Sequence, residues 1–475
     1  MPRPAGTKII GLAAIVALAA VEPVPAAAAM AWPALHFSTG VSFNHTLAVG
    51  DLNGDGKRDV AVANSQASAV IVLLGNGNGT LASFQSYPTF SEPQDVQMVD
   101  LTGDGFLDLA TPDYGAGGVT VLRGMGDGTF APRVGYPVGA GLISLTAADL
   151  NGDTFVDLIA SKEAGSTIAV LPALPGGGFG TVIEVASGAV PHQIGAADFN
   201  HDGKPDIAVA GNGAAAASVH LGNGTHTPGS ATPFAAGPAP IGLTIADLDG
   251  DGDADLLVSN VNTATVSVLL GNGNGTFAPP VAYPTDPRPR GMDAGDLDGD
   301  GIPEVVIATG YPDGDSALTV YRGVGNGMLD ARARFELPYR AADCVLADMN
   351  GDGRRDVVAT GPQAGVVSVL LNPAGTVGVG PGSITRDLEL TIHPNPMRAS
   401  ATLRFRTQPE VGATLEIFDL TGRRVAQLGP FHGGEHQLAW HGERLDGTSA
   451  ESGIYLVRLS SGRATLTRRM VLLPH

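Results

Sequence analysis

Seven short stretches of this 475-residue chain place oxygen-bearing side chains at alternating positions. They read DLNGDGKRD from Asp51, DLTGDGFLD from Asp100, DLNGDTFVD from Asp149, DFNHDGKPD from Asp198, DLDGDGDAD from Asp247, DLDGDGIPE from Asp296 and DMNGDGRRD from Asp348. Their starts are 49 residues apart five times and then 52 apart. Positions 1, 3, 5 and 9 carry carboxylates, amides or a hydroxyl, and position 7 can offer its backbone carbonyl. Hard oxygen donors in a tight loop suit Ca²⁺, whereas Mg²⁺ prefers fewer protein ligands and retained water. The first loop would use Asp51, Asn53, Asp55, the Lys57 carbonyl and Asp59. The second would use Asp100, Thr102, Asp104 and Asp108, and the third Asp149, Asn151, Asp153 and Asp157. The fourth offers Asp198, Asn200, Asp202, the Lys204 carbonyl and Asp206. The fifth offers Asp247, Asp249, Asp251, Asp253 and Asp255. The sixth has Asp296, Asp298, Asp300, the Ile302 carbonyl and Glu304, and the seventh Asp348, Asn350, Asp352, the Arg354 carbonyl and Asp356.

These loops are not helical EF-hands, because position 12 of the first is Val62 rather than a bidentate glutamate. The simplest alternative is a solvated Asp/Gly turn, but seven copies with carboxylates in register argue against it. Charge argues the same way. The whole chain has 27 basic and 47 acidic residues, and residues 32–382 alone hold 14 and 37. Crowded carboxylates are costly unless cations neutralise them. Up to seven Ca²⁺ sites are therefore expected, and they are not equal. Thr102 is a poor ligand at position 3, and Thr154 replaces the turn glycine, so the third loop should be strained and the weakest site.

The loops need a scaffold that repeats with them. Each is preceded by a short apolar stretch such as Leu47-Ala48-Val49 and followed by Val60–Ala63, a polar turn, Val70–Leu74 and the turn Gly75-Asn76-Gly77-Asn78-Gly79. Short β-branched runs split by Gly/Asn turns are strands and hairpins. Four strands per 49 residues make one propeller blade. Helical periodicity is absent from 40–372, so the expected fold class is all-β, a seven-bladed β-propeller over 32–372. The glycine turn has neither a following helix nor a lysine, so a hairpin is expected there rather than a phosphate loop.

The last repeat stops after its third strand, Val366–Leu371, with no counterpart of the fourth strand expected at Phe277–Tyr283. Residues 34–40 stand at the offset of a fourth strand and should close the ring from the other end, antiparallel to Val366–Leu371. The metal loops and Gly-Asn turns fall on one face. The irregular connections fall on the other, with Asp113, Tyr114, Lys162, Glu163, His192, Arg288, Arg290, Tyr339, Arg340 and the insertion at 311–315. Varied loops on a rigid scaffold are where binding usually sits.

The D-x-[DN]-G-D-G-x-x-D loops with G-N-G-[ND]-G-T-F turns resemble FG-GAP or VCBS repeats, the repeat type of the integrin α-subunit propeller. The resemblance covers roughly residues 34 to 372 and implies a seven-bladed β-propeller with calcium in its loops.

The ends differ in composition. Arg3 and Lys8 precede an apolar run, Ile9 to Val21, and a small-residue tract, the pattern of a signal peptide over 1–29 with cleavage after Ala29 or Ala31. An uncleaved anchor is the alternative, and no later run is long enough for a membrane helix. Residues 373–386 are Gly/Pro-rich and read as a linker. Residues 387–475 carry strand patterns at Ala401–Arg406, Thr414–Phe418, His436–Trp440, Gly453–Leu459 and Thr465–Leu472, suited to a small Ig-like β-sandwich. The segments HPNPMRASATLRF, LEIFDLTGRRVAQL and SGIYLVRLSSGRATLTRRMVLL resemble the C-terminal sorting domain of type IX secretion and the Ig-like domain of flagellar hook-capping proteins. Met397 and His441 depart from that pattern, which has Phe and Asp at those places. One cysteine, Cys344, excludes an internal disulfide and a multi-cysteine zinc cluster.

Function reads as a secreted or surface-exposed, calcium-binding, non-enzymatic adhesion or binding scaffold in a Gram-negative type envelope. The expected partner is a protein or glycan on the face opposite the metal loops, with no nucleic acid bound and a monomeric chain. A secreted carbohydrate-active enzyme, a lyase or hydrolase on the same scaffold, is the alternative, and a purely structural repeat a third. The net charge of −20 excludes a phosphate-backbone partner. No catalytic constellation breaks the symmetry of the repeats, so no catalytic residue is expected.

Overall fold

The computed structural model describes residues 28–29, 32–373 apart from 189, 212, 214 and 311–315, and 389–473 apart from 394–396, 398–399, 408–412, 420–422, 432–433, 445–447 and 462–463. The signal segment, the linker at 373–386 and the 311–315 insertion thus lie wholly or largely outside the described residues. The chain divides into two compact units, 1–381 and 382–475.

Among the described residues the first unit contains seven blade sheets, six of four antiparallel strands and one in which Ala28–Ala29 adds a fifth, parallel strand. Blade one runs Asn44–Gly50, Asp59–Asn64, Ala69–Leu73 and Gln85–Pro88, each strand pairing with the next. Five later blades repeat this order, and the first strands of neighbouring blades pack side by side around a closed ring. Both faces of each blade are apolar because alternate residues of a strand serve different neighbours. Val60 and Val62 pack into the cluster shared with blade seven, while Ala61 and Ala63 pack into the one shared with blade two. Seven such inter-blade clusters close the circle. Small Ala and Val side chains permit this close stacking.

The ring closes as the offset of residues 34–40 implies. Ala34–Ser38 pairs antiparallel with Val366–Leu370, Ala34 opposite Leu370 and Ser38 opposite Val366. The Leu371 amide extends the ladder to the Pro33 carbonyl at 3.0 Å. Blade seven therefore holds strands from both ends of the chain, and no open edge remains at the seam. Two details correct the expectation. The outer strand of blade five is Val281–Pro284, because Phe277 is held by an isolated bridge to Gly271 in the turn. Upstream, Trp32 is only 8% exposed and packs edge-on against Phe335 at 4.9 Å, and Ala28–Ala29 pairs parallel to Ala333–Arg334. Residues before the closing strand thus also belong to the packed structure.

The second unit has two sheets, one of Glu389–His393, Ala401–Thr407 and Gly434–Trp440, the other of Ala413–Asp419, Arg424–Phe431, Gly453–Ser461 and Ala464–Leu472. Met397, Leu415, Trp440, Tyr455 and Met470 share its core. The all-β class holds throughout, with one short 3₁₀ turn at Glu163–Gly165 among the described residues.

Trp32→Ala should destabilise the protein by about 3–5 kcal/mol, the usual cost of truncating a buried aromatic. Deleting residues 34–38 should cost more, because it exposes a whole strand edge as well. Urea unfolding of both variants beside Pro33→Ala checks this, and a deletion no worse than Pro33→Ala would contradict the closure.

Candidate cation-binding loops

Each loop joins the first and second strands of its blade and is folded by its own side chains. In loop one, Asp51 Oδ1 accepts the Asp55 N–H at 3.2 Å and Oδ2 the Gly56 N–H at 2.8 Å. Asn53 Oδ1 accepts the Asp55 N–H at 3.1 Å, and Asp55 Oδ1 the Lys57 N–H at 3.0 Å. The other loops repeat this pattern with small changes, for example through Asp198, Asn200 and Asp202 in loop four and Asp348, Asn350 and Asp352 in loop seven. The sixth position takes a positive φ, 80° at Gly56, which glycine adopts without steric cost. In loop three Thr154 adopts 75° and still donates its N–H to Asp149 Oδ2 at 2.7 Å, so the loop keeps its shape with a strained residue. At position 4, where six loops have glycine, loop four has His201 at φ 56°.

The ninth position lies deepest. Its carboxylates, Asp59, Asp108, Asp157, Asp206, Asp255, Glu304 and Asp356, are at most 1% exposed. In all seven loops one oxygen accepts the N–H of loop position 2 at 2.8–3.0 Å. In the six with aspartate the other accepts an N–H from the turn after the third strand, at 2.6–2.8 Å. Gly75 begins that turn in blade one, and a Cβ there would stand 2.0 Å from the Arg58 carbonyl oxygen. The longer Glu304 lacks the second bond, and its Oε1 is buried with no hydrogen-bond partner. Burial raises these groups despite the N–H bonds, Asp255 and Asp356 to about 6 and Glu304 to about 8.

In the two loops that carry carboxylates at positions 1, 3 and 9, these oxygens converge. Asp247, Asp249 and Asp255 bring theirs within 4.8 Å of one another, as do Asp296, Asp298 and Glu304. The donors are all carboxylate oxygens, the set a hard divalent cation takes. Glu304 Oε1 adds an unsatisfied buried acceptor beside two further carboxylates, an arrangement a cation fits. Position 5 is held differently. Lys57 Nζ lies 2.9 Å from Asp55 Oδ2, Lys204 Nζ 3.5 Å from Asp202 Oδ2, and Arg354 pairs with Asp352. Position-7 side chains therefore fold back over loops one, four and seven.

Turns of one blade also reach the loop of the blade before it. The Gly79 N–H donates to the Met349 carbonyl at 2.9 Å, Gly128 to Leu52 at 3.2 Å and Gly275 to Phe199 at 2.8 Å. Loops and turns thus share one face, as the strand reversals require. The Asn78-Gly79-Thr80 stretch is a hairpin turn, Thr80 N–H to Asn78 Oδ1 at 3.0 Å. Two histidines at these contacts escaped the sequence reading. His201 Nε2 lies 2.6 Å from Asp253 Oδ1 of the next loop. His226 occupies the place of Gly79 in its repeat, and its Nε2 lies 3.4 Å from Asp157 Oδ1. Two departures from the repeat, Thr154 within the loop and His226 from the next blade, therefore both bear on loop three. Substitution of a repeated glycine was the available signal for both histidines.

On the opposite face, two residues placed in surface connections belong elsewhere. Asp113 ends a strand, is fully buried and is bonded by Thr111 and Thr120. Tyr339 is 6% exposed with its hydroxyl on Ser368. Tyr114 is exposed, and Lys162 pairs with Glu184.

A closed ring of four-stranded meanders with its acidic loops on one face is a β-propeller. Residues 51–111, 100–160, 198–258, 258–307 and 298–359 match the FG-GAP-like repeat, cover more than half of the chain and contain all seven loops, and the chain belongs to this family. Residues 391–473 match the secretion system C-terminal sorting domain. The protein is thus a β-propeller exported by the type IX secretion system, secreted or held at the cell surface. Among solved structures it is similar to BBS1N in complex with ARL6DN, soaked with lead, at 15% identity over 72% of this chain and 98% of that one, TM-score 0.53. It is also similar to PorZ, a bacterial surface component of the type-IX secretion system of Porphyromonas gingivalis, at 14% identity over 88% of this chain and 58% of that one, TM-score 0.41. A search of curated proteins finds no match. Among the described residues no helix is long and apolar enough to cross a membrane.

Two outcomes follow from the loop geometry. Thr154→Gly should stabilise the protein by about 1 kcal/mol, the cost of a left-handed non-glycine residue, read by urea unfolding in chelator. Glu304 has a folded pKa raised above its unfolded value, so without cation its contribution is full below about pH 4.5 and is lost as pH rises through about 8. In chelator, Glu304→Gln should therefore flatten part of the fall in melting temperature between those limits. An equally steep fall in the variant would contradict the assignment.

Proposed function

We propose that this protein is a calcium-stabilised, non-enzymatic binding scaffold, presented at the cell surface or released to the medium. The observation that carries the reading is the register of the loops: seven copies repeat oxygen-bearing side chains at positions 1, 3 and 5 beside a buried carboxylate at position 9. Among oxygen-ligated divalent ions, calcium tolerates the larger and more flexible ligand set. Its role is then to offset the repulsion that the loops would otherwise carry, with loop three the weakest site because Thr154 and His226 both intrude on it. The integrin α-like resemblance is consistent with a propeller that displays a binding face. A protein or glycan partner would meet the face opposite the loops, where the connections differ from blade to blade. The N-terminal segment would act as a signal peptide in a Gram-negative type envelope, and the chain would work as a monomer.

The test is thermal melting of the full chain in calcium and in EDTA. Extracellular sites of this kind bind at about 0.1–1 mM, so each filled site adds roughly 0.4–1.4 kcal/mol at about 1 mM calcium. The melting temperature should fall clearly in EDTA and return with calcium; identical curves would end the calcium reading. A glycan array and pull-down with the same protein would identify the partner.

A further inference from the structure

Blade two departs from the repeat on the face opposite the cation loops, and its departures lie together. The connection entering it carries Phe90, where the connections entering blades three, four and five have Gly139, Gly188 and Gly237. The turn after its second strand carries Tyr114, where blades one, three, five and seven have Ser65, Glu163, Val261 and Pro362. Both rings face solvent, Phe90 at 48% and Tyr114 at 40% exposure. Glu92, also exposed, is the only acidic residue at its place in the repeat. Two glycines make room for these side chains. The outer strand has Gly135 where blades one, three, four and five have Ser86, Glu184, Pro233 and Ala282, and a Cβ there would stand 2.3 Å from the Phe90 ring. Arg133, two residues before Gly135, lays its guanidinium on the same ring, 4.5 Å from the centroid. Gly115 follows Tyr114, and a Cβ there would stand 2.6 Å from Ser91 Oγ and 3.3 Å from the Glu92 carboxylate. The Tyr114 N–H donates to the Glu92 carbonyl at 3.1 Å and ties the connection to the turn. Among the described residues, none of Phe90, Glu92, Tyr114 and Arg133 joins an inter-blade cluster or a cation loop.

We propose that this patch binds neutral sugar units of a glycan, with Phe90 and Tyr114 as stacking platforms and Glu92 and Arg133 as partners of the sugar hydroxyls. A pyranose presents an apolar C–H face and a rim of hydroxyls. The body of an exposed aromatic ring takes the first, and ionised groups make the stronger hydrogen bonds to the second. An ionised carboxylate only accepts and a guanidinium only donates, whereas a hydroxyl does both, so a neutral sugar satisfies each. The guanidinium N–H groups lie in the plane of the group, so stacking on Phe90 leaves them to a ligand. The two charges cancel, and the patch selects for no ionic ligand. A uronic acid would meet Glu92 and a chain of net charge −20. The rings stand on separate connections, so an oligosaccharide can engage both. Gly135 and Gly115 hold the platform in place before the ligand arrives, which lowers the cost of ordering it on binding. The assignment narrows the partner proposed above to a glycan and rests on that reading for its place at the cell surface.

The experiment is titration of the full chain, in calcium, with cellohexaose, mannohexaose and hexagalacturonate, read by calorimetry and saturation-transfer NMR. At least one neutral hexasaccharide should bind, and more tightly than hexagalacturonate. Phe90→Ala should weaken that binding by about tenfold or more, and Glu92→Gln by less, as loss of a stacking ring and of one charged acceptor would do. Gly135→Ala, whose methyl displaces the Phe90 ring, should weaken it as well. If Gly135→Ala lowers the melting temperature, Phe90→Ala and Tyr114→Ala, both at exposed side chains, carry the comparison. Met125→Ala, at an exposed side chain of the cation face, should leave binding unchanged. Failure of both neutral sugars to bind would overturn the site, as would equal binding of hexagalacturonate, or unchanged binding in Phe90→Ala and Tyr114→Ala. A protein partner whose capture needs Phe90, with neither neutral sugar bound, would also overturn it. Sugar binding lost in Phe90→Ala supports the site even where EDTA leaves the melting curve unmoved, so the two readings fail separately.

Discussion

The carboxylate at the ninth loop position organises this propeller. It is buried at the head of the second strand and accepts one N–H from the start of its own loop. In six blades it also accepts one from the turn that follows the third strand. One side chain thereby fixes two connections that would otherwise be free, and the turn so fixed donates to the loop of the preceding blade in three places. Buried carboxylates resist ionisation, so the same groups that build the face also leave it in need of positive charge. Under the proposed reading, cation binding would serve the fold: the loops are shaped by their own hydrogen bonds, and an ion would relieve the charge they concentrate.

Uniform repeats make their exceptions informative. Glu304 reaches further than aspartate and gives up the turn bond, leaving an oxygen aimed among Asp296 and Asp298. Thr154 and His226 replace glycines of different blades yet meet at one loop. His45, His192 and Arg290 stand where three other blades have aliphatic residues and one has Gln94, and the ring symmetry gathers them around its axis.

Much of this was legible in the residues. The 49-residue spacing and the doubly apolar strands define the ring, and the missing last strand points to its closure by residues 34–40, of which 34–38 form the strand. The second unit's strands Glu389–His393 and Arg424–Phe431 were not read. The first follows directly on a Gly/Pro-rich stretch, and the second contains Gly429-Pro430, which reads as a turn. Asp113 and Tyr339 were placed on the surface because polar residues beside a turn usually lie there, whereas local hydroxyls satisfy both in the interior. Spacing along the chain could not reveal the contacts of His201 and His226, because they form between blades.

The central claim is that the loops hold cations as a set. Equilibrium dialysis of the full chain against millimolar calcium, followed by metal analysis, tests it most directly. The account predicts close to one ion per loop in at least six of the seven loops, the shortfall falling on loop three, with magnesium a poor competitor. A protein that retains no calcium, or takes magnesium equally well, would contradict it.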